Sequence, residues 1–320
     1  MSIPWRIYDI LRDFYQETVI YKGLKAPIED LSGQVLLVTG GNAGLGKESV
    51  RQLALMKPAK IILAARNMEK GERAKTEIVN ATGFKNVVVE HLDLCSLESV
   101  NKLSRKILDN EKSLHVLMCN AGLGSLPESA RKTGDGFDEM FQGNNLGHHL
   151  LVTNLLPLLE RSGSSQNPSR VILLSSLASK FVFSFDVNAY SNPQKLSSNA
   201  YYGISKLMAT LLASGLAERE QDKNVVVHSC HPGTVKTEFG DKYPMVMRKY
   251  IFPVLYSMIG RPLDEGAATQ VFLASSPNVR ESGQYWTNME NRPPNTIAQN
   301  PQLCRQFTEL CDELISKYKL

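Results

Sequence analysis

Short runs of β-branched and other apolar residues recur along this chain of 320 residues, and longer stretches with helical spacing separate them. Two of the runs, Ile61-Ile62-Leu63 and Val225-Val226-Val227, are continuous rather than alternating, which is typical of strands covered on both faces. Strands that alternate with helices in this way form a parallel sheet with crossover connections. The pattern predicts an α/β doubly wound fold with a seven-stranded parallel sheet, its strands at 35–39, 60–65, 87–92, 114–119, 170–175, 224–230 and 284–287.

The first predicted strand ends in a glycine-rich turn, and a helical pattern follows from 47 to 56. Gly40, Gly44 and Gly46, with Leu45 between the last two, let the backbone turn tightly and approach a pyrophosphate closely. Free N–H groups and the dipole at the start of the helix favour negative charge there. A glycine trio alone often only turns a chain. Its place between a strand and a helix favours a phosphate cradle and makes the fold a Rossmann fold.

Composition and cysteine usage narrow the class of protein. The chain is 42% hydrophobic and 21% charged, which is ordinary for one large globular domain. Its net charge is only +4 and no block of Lys and Arg is present, so no nucleic-acid partner is expected and a small phosphate-bearing molecule is favoured. Five cysteines without a CxxC pair argue against a disulfide framework and against a metal site, and they predict a reducing, cytoplasmic location.

The first 33 residues form an amphipathic N-terminal extension, in which aromatic and aliphatic residues from Trp5 to Val19 recur at helical spacing. Two interpretations stay open: the helix packs against the domain, or it lies on a membrane surface as a peripheral contact. No segment reaches the ~18 apolar residues that a membrane span needs. The main domain is expected at 34–290 and a C-terminal helical extension at 291–320.

Tyr202 and Lys206 are candidates for acid–base chemistry, because side chains four residues apart on a helix share one face. A nearby ammonium group favours the phenolate form of tyrosine and lowers the phenol pKa toward the working pH. Tyr202 could then act as general acid or base. Tyr21 and Lys25 have the same spacing, but only Tyr202 follows the fifth predicted strand and begins a long helical pattern.

These motifs, in this order, resemble the short-chain dehydrogenase/reductase family, and they are closest to its retinol dehydrogenase-like members. The resemblance covers about 34–290, and it adds Asn120-Ala121-Gly122 at the end of the fourth predicted strand. It implies an oxidoreductase that transfers a hydride between a nicotinamide and a carbonyl or alcohol. Carboxyl ends of parallel strands are also where open α/β sheets bind ligands.

Arg66 bears on the identity of the cofactor. It follows the second predicted strand directly, twenty residues after Gly46. At this position, NAD-preferring Rossmann proteins place an acidic residue that binds the ribose hydroxyls. A guanidinium fork suits a 2′-phosphate instead, and Lys47 could add a second positive charge. Arg66 could also be a solvated surface residue. The arginine favours NADP(H).

The resemblance implies further cofactor contacts. Asp93 and Leu94 match the pair that contacts adenine, although Asp93 could instead be a helix N-cap. Pro232 and Gly233 match the loop beside the nicotinamide, in which Thr237 would bind the carboxamide.

The resemblance also implies two more catalytic residues. Ser176 matches the serine that hydrogen-bonds the substrate oxygen, whereas Ser175 reads as a polar strand end. Asn144 matches the asparagine that supports the lysine. The following Asn145 departs from the histidine of the family motif, which leaves open which asparagine points inward. His148 and His149 are interpreted as structural.

The substrate is less constrained by the sequence. A methionine-rich apolar stretch lies within 238–263, where the family has its substrate lid, and it predicts a bulky hydrophobic substrate such as a retinoid, a steroid or a lipid aldehyde. The alternative is that this stretch covers the domain's own core. A homodimer through the helices that carry Asn144 and Tyr202 is compatible with the resemblance.

Two other functions are considered. A regulatory NADP(H)-binding protein on this scaffold would lack the four catalytic residues, and all four are present. A protochlorophyllide reductase-like enzyme, which reduces a carbon–carbon double bond, would carry a long insertion before the tyrosine, but only 25 residues separate Ser176 from Tyr202. The sequence therefore favours a reductase or dehydrogenase of carbonyls and alcohols.

Overall fold

The computed structural model describes residues 12, 15, 23–124, 132–187, 198–235 and 260–320. Their strands form one sheet, and apolar residues dominate the central strands. The strands are β1 (Val35–Thr39), β2 (Lys60–Ala65), β3 (Val87–His91), β4 (Val116–Cys119), β5 (Ser169–Leu174), β6 (Val225–His231), β7 (Tyr285–Thr287) and β8 (Glu290–Arg292).

Helices connect these strands and cover both faces of the sheet. They are α1 (Gly44–Ala54), α2 (Met68–Thr82), α3 (Leu97–Asn110), α4 (Glu139–Phe141), α5 (Gly147–Ser162), α6 (Ser198–Arg219), α7 (Leu263–Ser275) and α8 (Pro301–Ile315). A π-helical segment, Gln142–Leu146, joins α4 to α5, and a short 3₁₀ helix, Leu177–Phe181, follows β5.

The order of the strands is β3-β2-β1-β4-β5-β6-β7-β8, and all neighbours are parallel except β7 and β8. The predicted doubly wound Rossmann fold is confirmed, but the sheet has eight strands rather than the predicted seven. Glu290–Arg292 contains three polar residues and has no apolar pattern to reveal it. It is joined to β7 by a two-residue turn in which Asn288 and Met289 both have positive φ, as tight hairpins require.

Two layers of apolar residues lie on opposite faces of the sheet. One includes α3, α5, α6 and α8, and the other includes α1, α2 and α7. Every residue of β1 and β6 is buried, as expected for strands covered on both sides. This double cover leaves the carboxyl ends of the strands as the edge where loops converge.

The C-terminal helix α8 packs against α6. Gly215 permits this, because a Cβ there would overlap with Thr308 of α8. His149 on α5 also bonds Asp312 of α8, with 3.0 Å between Nε2 and Oδ1. The C-terminal extension therefore covers part of α5 and α6.

The first 33 residues are described only in part, so neither interpretation of the amphipathic segment is decided. Residues 12 and 15 have helical backbone. In the described ranges, no helix combines the length and the apolar character that crossing a bilayer demands.

Candidate active site

A cleft of about 640 Å³ opens at the carboxyl ends of the strands, at the point between β1 and β4 where the strand order reverses. Residues from motifs spread over nearly 200 positions meet there. Those expected from the sequence and found in its lining are Gly40, Gly44, Leu45, Gly46, Arg66, Asp93, Leu94, Asn120, Ala121, Gly122, Ser176, Tyr202, Lys206, Pro232 and Gly233. Thr237 and most of the expected lid at 238–263 lie outside the described residues.

The glycine turn after β1 has the geometry of an anion cradle. Gly40 and Gly44 have φ values of 67° and 51°, which disfavour other residues. A Cβ at Gly46 would overlap with the carbonyl of Gly40 and the amide of Asn120. The helix α1 starts at Gly44 without a side-chain cap, so its first N–H groups remain available to a negatively charged ligand.

The Asn120-Ala121-Gly122 motif is tied to β1 by two hydrogen bonds. The Asn120 Nδ2 group donates to the Thr39 carbonyl at 2.9 Å, and the Ala121 N–H donates to Thr39 Oγ1 at 3.0 Å. A Cβ at Gly122 would lie 3.2 Å from Lys206 Nζ and 3.4 Å from Asn144 Oδ1. The motif therefore forms a fixed floor between the glycine turn and the lysine.

Arg66 and Lys70 line one end of the cleft, here called the basic end, and both are exposed. Asn67 between them caps α2, since its Oδ1 accepts the Lys70 N–H at 2.8 Å. Lys47, the second cation expected from the sequence, instead forms an ion pair with Glu77 and is not in the lining. Lys70 is not predicted from the sequence, because no motif marks it and only the start of α2 beside Arg66 brings it to the cleft.

Asp93 lies deeper in the cleft than the basic end. Its Oδ1 accepts the N–H of Cys95 at 3.0 Å in a local turn. The alternative that Asp93 caps the next helix is wrong, because Ser96 holds that position and accepts the Ser99 N–H.

Ser176, Tyr202 and Lys206 line the opposite end of the cleft, here called the tyrosine end. Asn144 is not in the lining and lies directly behind it, where Asn144 Oδ1 and Lys206 Nζ both approach Gly122. Asn144 lies in the π-helical segment, a distortion often found at functional sites. Its Oδ1 accepts the Leu123 N–H at 2.6 Å, and its Nδ2 donates to the Leu123 carbonyl and to Ser205 Oγ, both at 3.0 Å. Among the described residues, neither amide atom of the buried Asn145 has a hydrogen-bond partner. Asn144 is thus the asparagine that faces the site.

Tyr202 and Lys206 lie one turn apart on α6, and the Lys206 Nζ is 5.8 Å from the centre of the Tyr202 ring. The ammonium group is buried and donates to the Leu174 carbonyl at 2.9 Å. Burial lowers the pKa of Lys206 to about 8, so its charged form still predominates at pH 7. A positive charge therefore lies beside the phenol.

The two serines after β5 have different surroundings. Ser175 also borders the cleft, but it is buried, and its hydroxyl donates to the Lys206 carbonyl at 2.8 Å and accepts from Thr210. Ser176 lines the cleft, and its Oγ accepts the Ala178 N–H at 3.2 Å. Since that bond uses only a lone pair, the Ser176 hydroxyl can still donate to a ligand oxygen.

Gly233 closes the cleft beside the tyrosine end. It has a φ of 85°, and a Cβ there would lie 2.7 Å from the guanidinium of Arg261. The Pro232-Gly233 turn is therefore restricted to glycine by both backbone and space.

Comparison with known proteins agrees with this geometry. The short chain dehydrogenase family matches residues 34–245, and the chain belongs to that family. Retinol dehydrogenase 11 of Mus musculus is 32% identical over 98% of this chain and 96% of its own length. Retinol dehydrogenase 13 of Homo sapiens is 33% identical over 87% of this chain and 83% of its own length.

Solved structures show the same architecture. The RhlG/NADP active-site complex of Pseudomonas aeruginosa superposes with a TM-score of 0.64 and 25% identity, covering 81% of this chain and 96% of that one. The fold, the family and the retinol dehydrogenase relatives together identify an oxidoreductase.

Proposed function

We propose that this protein is an NADP(H)-dependent oxidoreductase that interconverts the carbonyl and alcohol forms of a hydrophobic substrate, such as a retinoid, a steroid or a lipid aldehyde or ketone. The observation that carries the proposal is that Ser176, Tyr202 and Lys206 line a cleft with a glycine cradle, while Asn144 bonds Ser205 directly behind them. A regulatory protein would not need this arrangement.

The cleft fits a nicotinamide dinucleotide. The turn at Gly40 and Gly46 has no room for a Cβ, and the start of α1 can take the pyrophosphate. Arg66 and Lys70 supply positive charge where a 2′-phosphate would lie, which supports NADP(H) over NAD(H). When bound, the nicotinamide supplies the hydride, and the protein supplies orientation and proton transfer.

In this proposal Tyr202 donates its phenolic proton to the carbonyl oxygen during reduction. Ser176 donates a hydrogen bond to the same oxygen and holds it near the phenol. The Lys206 ammonium stabilises the phenolate that remains, and it is aligned by its bond to the Leu174 carbonyl. Asn144 holds the Leu123 backbone and Ser205 in place beside them. Oxidation of an alcohol uses the same groups in reverse.

A hydrophobic substrate is supported by two independent observations. The stretch at 238–263 is rich in methionine and aromatic residues. The relatives with the printed name retinol dehydrogenase match nearly the whole chain. We take reduction as the cellular direction, because the NADP(H) pool is usually kept reduced.

The proposal is tested by NADPH and NADH oxidation with purified protein against retinal, long-chain aldehydes, steroid ketones and quinones. We expect turnover with NADPH on at least one hydrophobic carbonyl and none with Tyr202→Phe. Tyr318→Phe, which changes a tyrosine away from the cleft, is the matched control and should keep full activity. Tight NADPH binding without turnover of any carbonyl would overturn the proposed function.

The cofactor preference is tested separately. Lys70→Ala should weaken NADPH binding several-fold and leave NADH binding unchanged, because only NADPH carries the 2′-phosphate. Arg66→Asp should shift the preference toward NADH. Lys47→Ala serves as the control, since Lys47 is engaged by Glu77 outside the lining. Equal losses for NADPH and NADH in the Lys70 variant would remove that residue from the 2′-phosphate.

A further inference from the structure

His148 lies behind the cleft, on the first turn of α5, and is 1% exposed. Its two ring nitrogens face different parts of the site. The Nε2 atom lies 2.9 Å from Thr39 Oγ1, and the Nδ1 atom lies 3.3 Å from the backbone carbonyl of Asn144. The ring therefore connects the end of β1 to the π-helical segment that carries Asn144.

The chemistry of these partners fixes the direction of each hydrogen bond. A carbonyl oxygen can only accept, so the Nδ1 atom must carry the hydrogen that points at Asn144. Burial lowers the pKa of His148 to about 4, and the ring is neutral at pH 7. The Nε2 atom then has no hydrogen, and the Thr39 hydroxyl donates to it.

Thr39 also accepts the N–H of Ala121 at 3.0 Å. A continuous chain of hydrogen bonds thus runs from Ala121 through Thr39 and His148 to Asn144. The Thr39 hydroxyl has one alternative acceptor among the described residues, the Met118 carbonyl, but this oxygen is farther away at 3.4 Å. Each link has one donor and one acceptor, so reversing the histidine tautomer would break the bond to Asn144.

We propose that His148 is a positioning residue that fixes the backbone of Asn144 relative to the Asn120-Ala121-Gly122 floor, and so keeps the tyrosine end aligned with the cofactor side of the cleft. The inference rests on the proposed function for its kinetic consequence. The Asn144 carbonyl belongs to a π-helical turn rather than a regular helix, and the Nδ1–H bond restrains it. Without that bond, the hydrogen bonds of the Asn144 side chain to Leu123 and Ser205 weaken.

His149 offers a matched control on the same helix. It is equally buried, but its Nε2 bonds Asp312 of α8, away from the cleft. We expect His148→Leu to lower kcat about tenfold, because small misplacement of catalytic groups has effects of this order or larger. His149→Leu should destabilise the fold while leaving kcat within about twofold of wild type, since the bond to Asp312 and the packing that it loses lie away from the cleft.

A double-mutant cycle tests whether Thr39 and His148 act together. Thr39→Val should reproduce the loss of kcat, Thr39→Ser should restore it, and Thr39→Val combined with His148→Leu should add little to either single change. Fully multiplicative effects of the two changes would contradict the chain of hydrogen bonds.

Two measurements do not depend on turnover. Nitrogen-15 NMR of the histidine rings should show His148 with its hydrogen on Nδ1 at pH 7. The Leu123 amide, which donates to Asn144 Oδ1, should exchange its hydrogen at least about tenfold faster in His148→Leu and at the wild-type rate in His149→Leu.

The outcomes separate the two proposals. An Nε2–H tautomer, or an unchanged Leu123 exchange rate in folded His148→Leu, overturns the positioning role even if the wild-type enzyme is active. If the wild-type protein reduces no carbonyl, the proposed function fails, and the tautomer and exchange rate still decide whether His148 positions Asn144. If His148→Leu does not fold, the tautomer and the Thr39 variants decide.

Discussion

The basic end and the tyrosine end of the cleft are built in different ways. At the basic end, Arg66 and Lys70 are exposed, and water can screen their charges. At the tyrosine end, Asn144 and Lys206 are at most 5% exposed, and each is held by hydrogen bonds to backbone carbonyls. Changes at the basic end should therefore adjust cofactor preference, whereas changes at the tyrosine end should abolish or strongly reduce chemistry.

The largest effect is expected for Lys206→Met. It removes the charge beside the phenol and leaves the Leu174 carbonyl without its donor. We expect kcat to fall roughly 10³-fold, within the range for lost acid–base assistance. Lys223→Met, which removes a surface ammonium paired with Glu160, should have no effect on kcat. A Lys206 variant that folds and retains a tenth of wild-type kcat would contradict the role of the buried ammonium.

Gly46→Ala tests the cradle that joins the two ends. The new methyl group would overlap with the Gly40 carbonyl and the Asn120 amide, so the turn must open. We expect the dissociation constants of NADPH and NADH to rise together, on the order of 10- to 100-fold, because both share the pyrophosphate. Gly134→Ala is the control, since no atom of the residues that the structure describes lies within 4 Å of its added Cβ. Titration by cofactor fluorescence measures both constants, and an unchanged affinity would argue against the cradle.

Gly122→Ala tests how tightly the tyrosine end is packed. Its methyl group would lie 3.2 Å from Lys206 Nζ and 3.4 Å from Asn144 Oδ1, so either side chain must shift by a few tenths of an ångström. A loss of about tenfold in kcat is expected, with little change in thermal stability. A kcat equal to that of wild type would show that the tyrosine end tolerates displacement, as the basic end should.

The smallest effect concerns stability in acid. Burial lowers the pKa of both His148 and His228 to about 4, against 6.5 for a free histidine. As the pH falls, the histidines of the unfolded chain therefore take up protons before those of the folded chain. The part of the free energy of unfolding that depends on the two neutral histidines is fully present above pH 6.5 and is lost as the pH falls toward 4. At pH 5, each histidine should lower the free energy of unfolding by on the order of 1–2 kcal/mol.

Urea unfolding at pH 7 and pH 5 measures this loss. His228→Gln replaces the acceptor of the Trp286 N–H with a group that does not titrate, so the variant should lose less stability between the two pH values than wild type. An equal loss in both proteins would assign the acid sensitivity to other groups.

Some features of the molecule can be predicted from the sequence, and others depend on contacts between residues far apart in the chain. Features that depend on neighbours in the chain were readable: the glycine turn after a strand, the Tyr202–Lys206 pair on one helical face, and the continuous apolar strands. Features that depend on tertiary contacts were not. Asn144 bonds Ser205 across 61 positions, and Thr39 bonds His148 across 109.

Two lysines, Lys47 and Lys70, show the same limit. Lys47 has the right charge at the right distance along the chain, but Glu77 on α2 engages it. Lys70 has no motif to mark it, and it reaches the cleft only because α2 starts directly after Arg66. Charge can be read from a sequence, whereas the partner that neutralises it depends on how helices pack.

The most direct test of the central claim is a single turnover with NADPH that carries deuterium at the transferable C4 position. NADPH-bound wild-type protein is mixed with an excess of the best aldehyde from the substrate panel, and the product alcohol is analysed by mass spectrometry. We predict one deuterium on the former carbonyl carbon with wild type and no labelled alcohol with Tyr202→Phe, although that variant still binds NADPH. Labelled alcohol at the wild-type rate from Tyr202→Phe would contradict the assignment of Tyr202 as the proton donor.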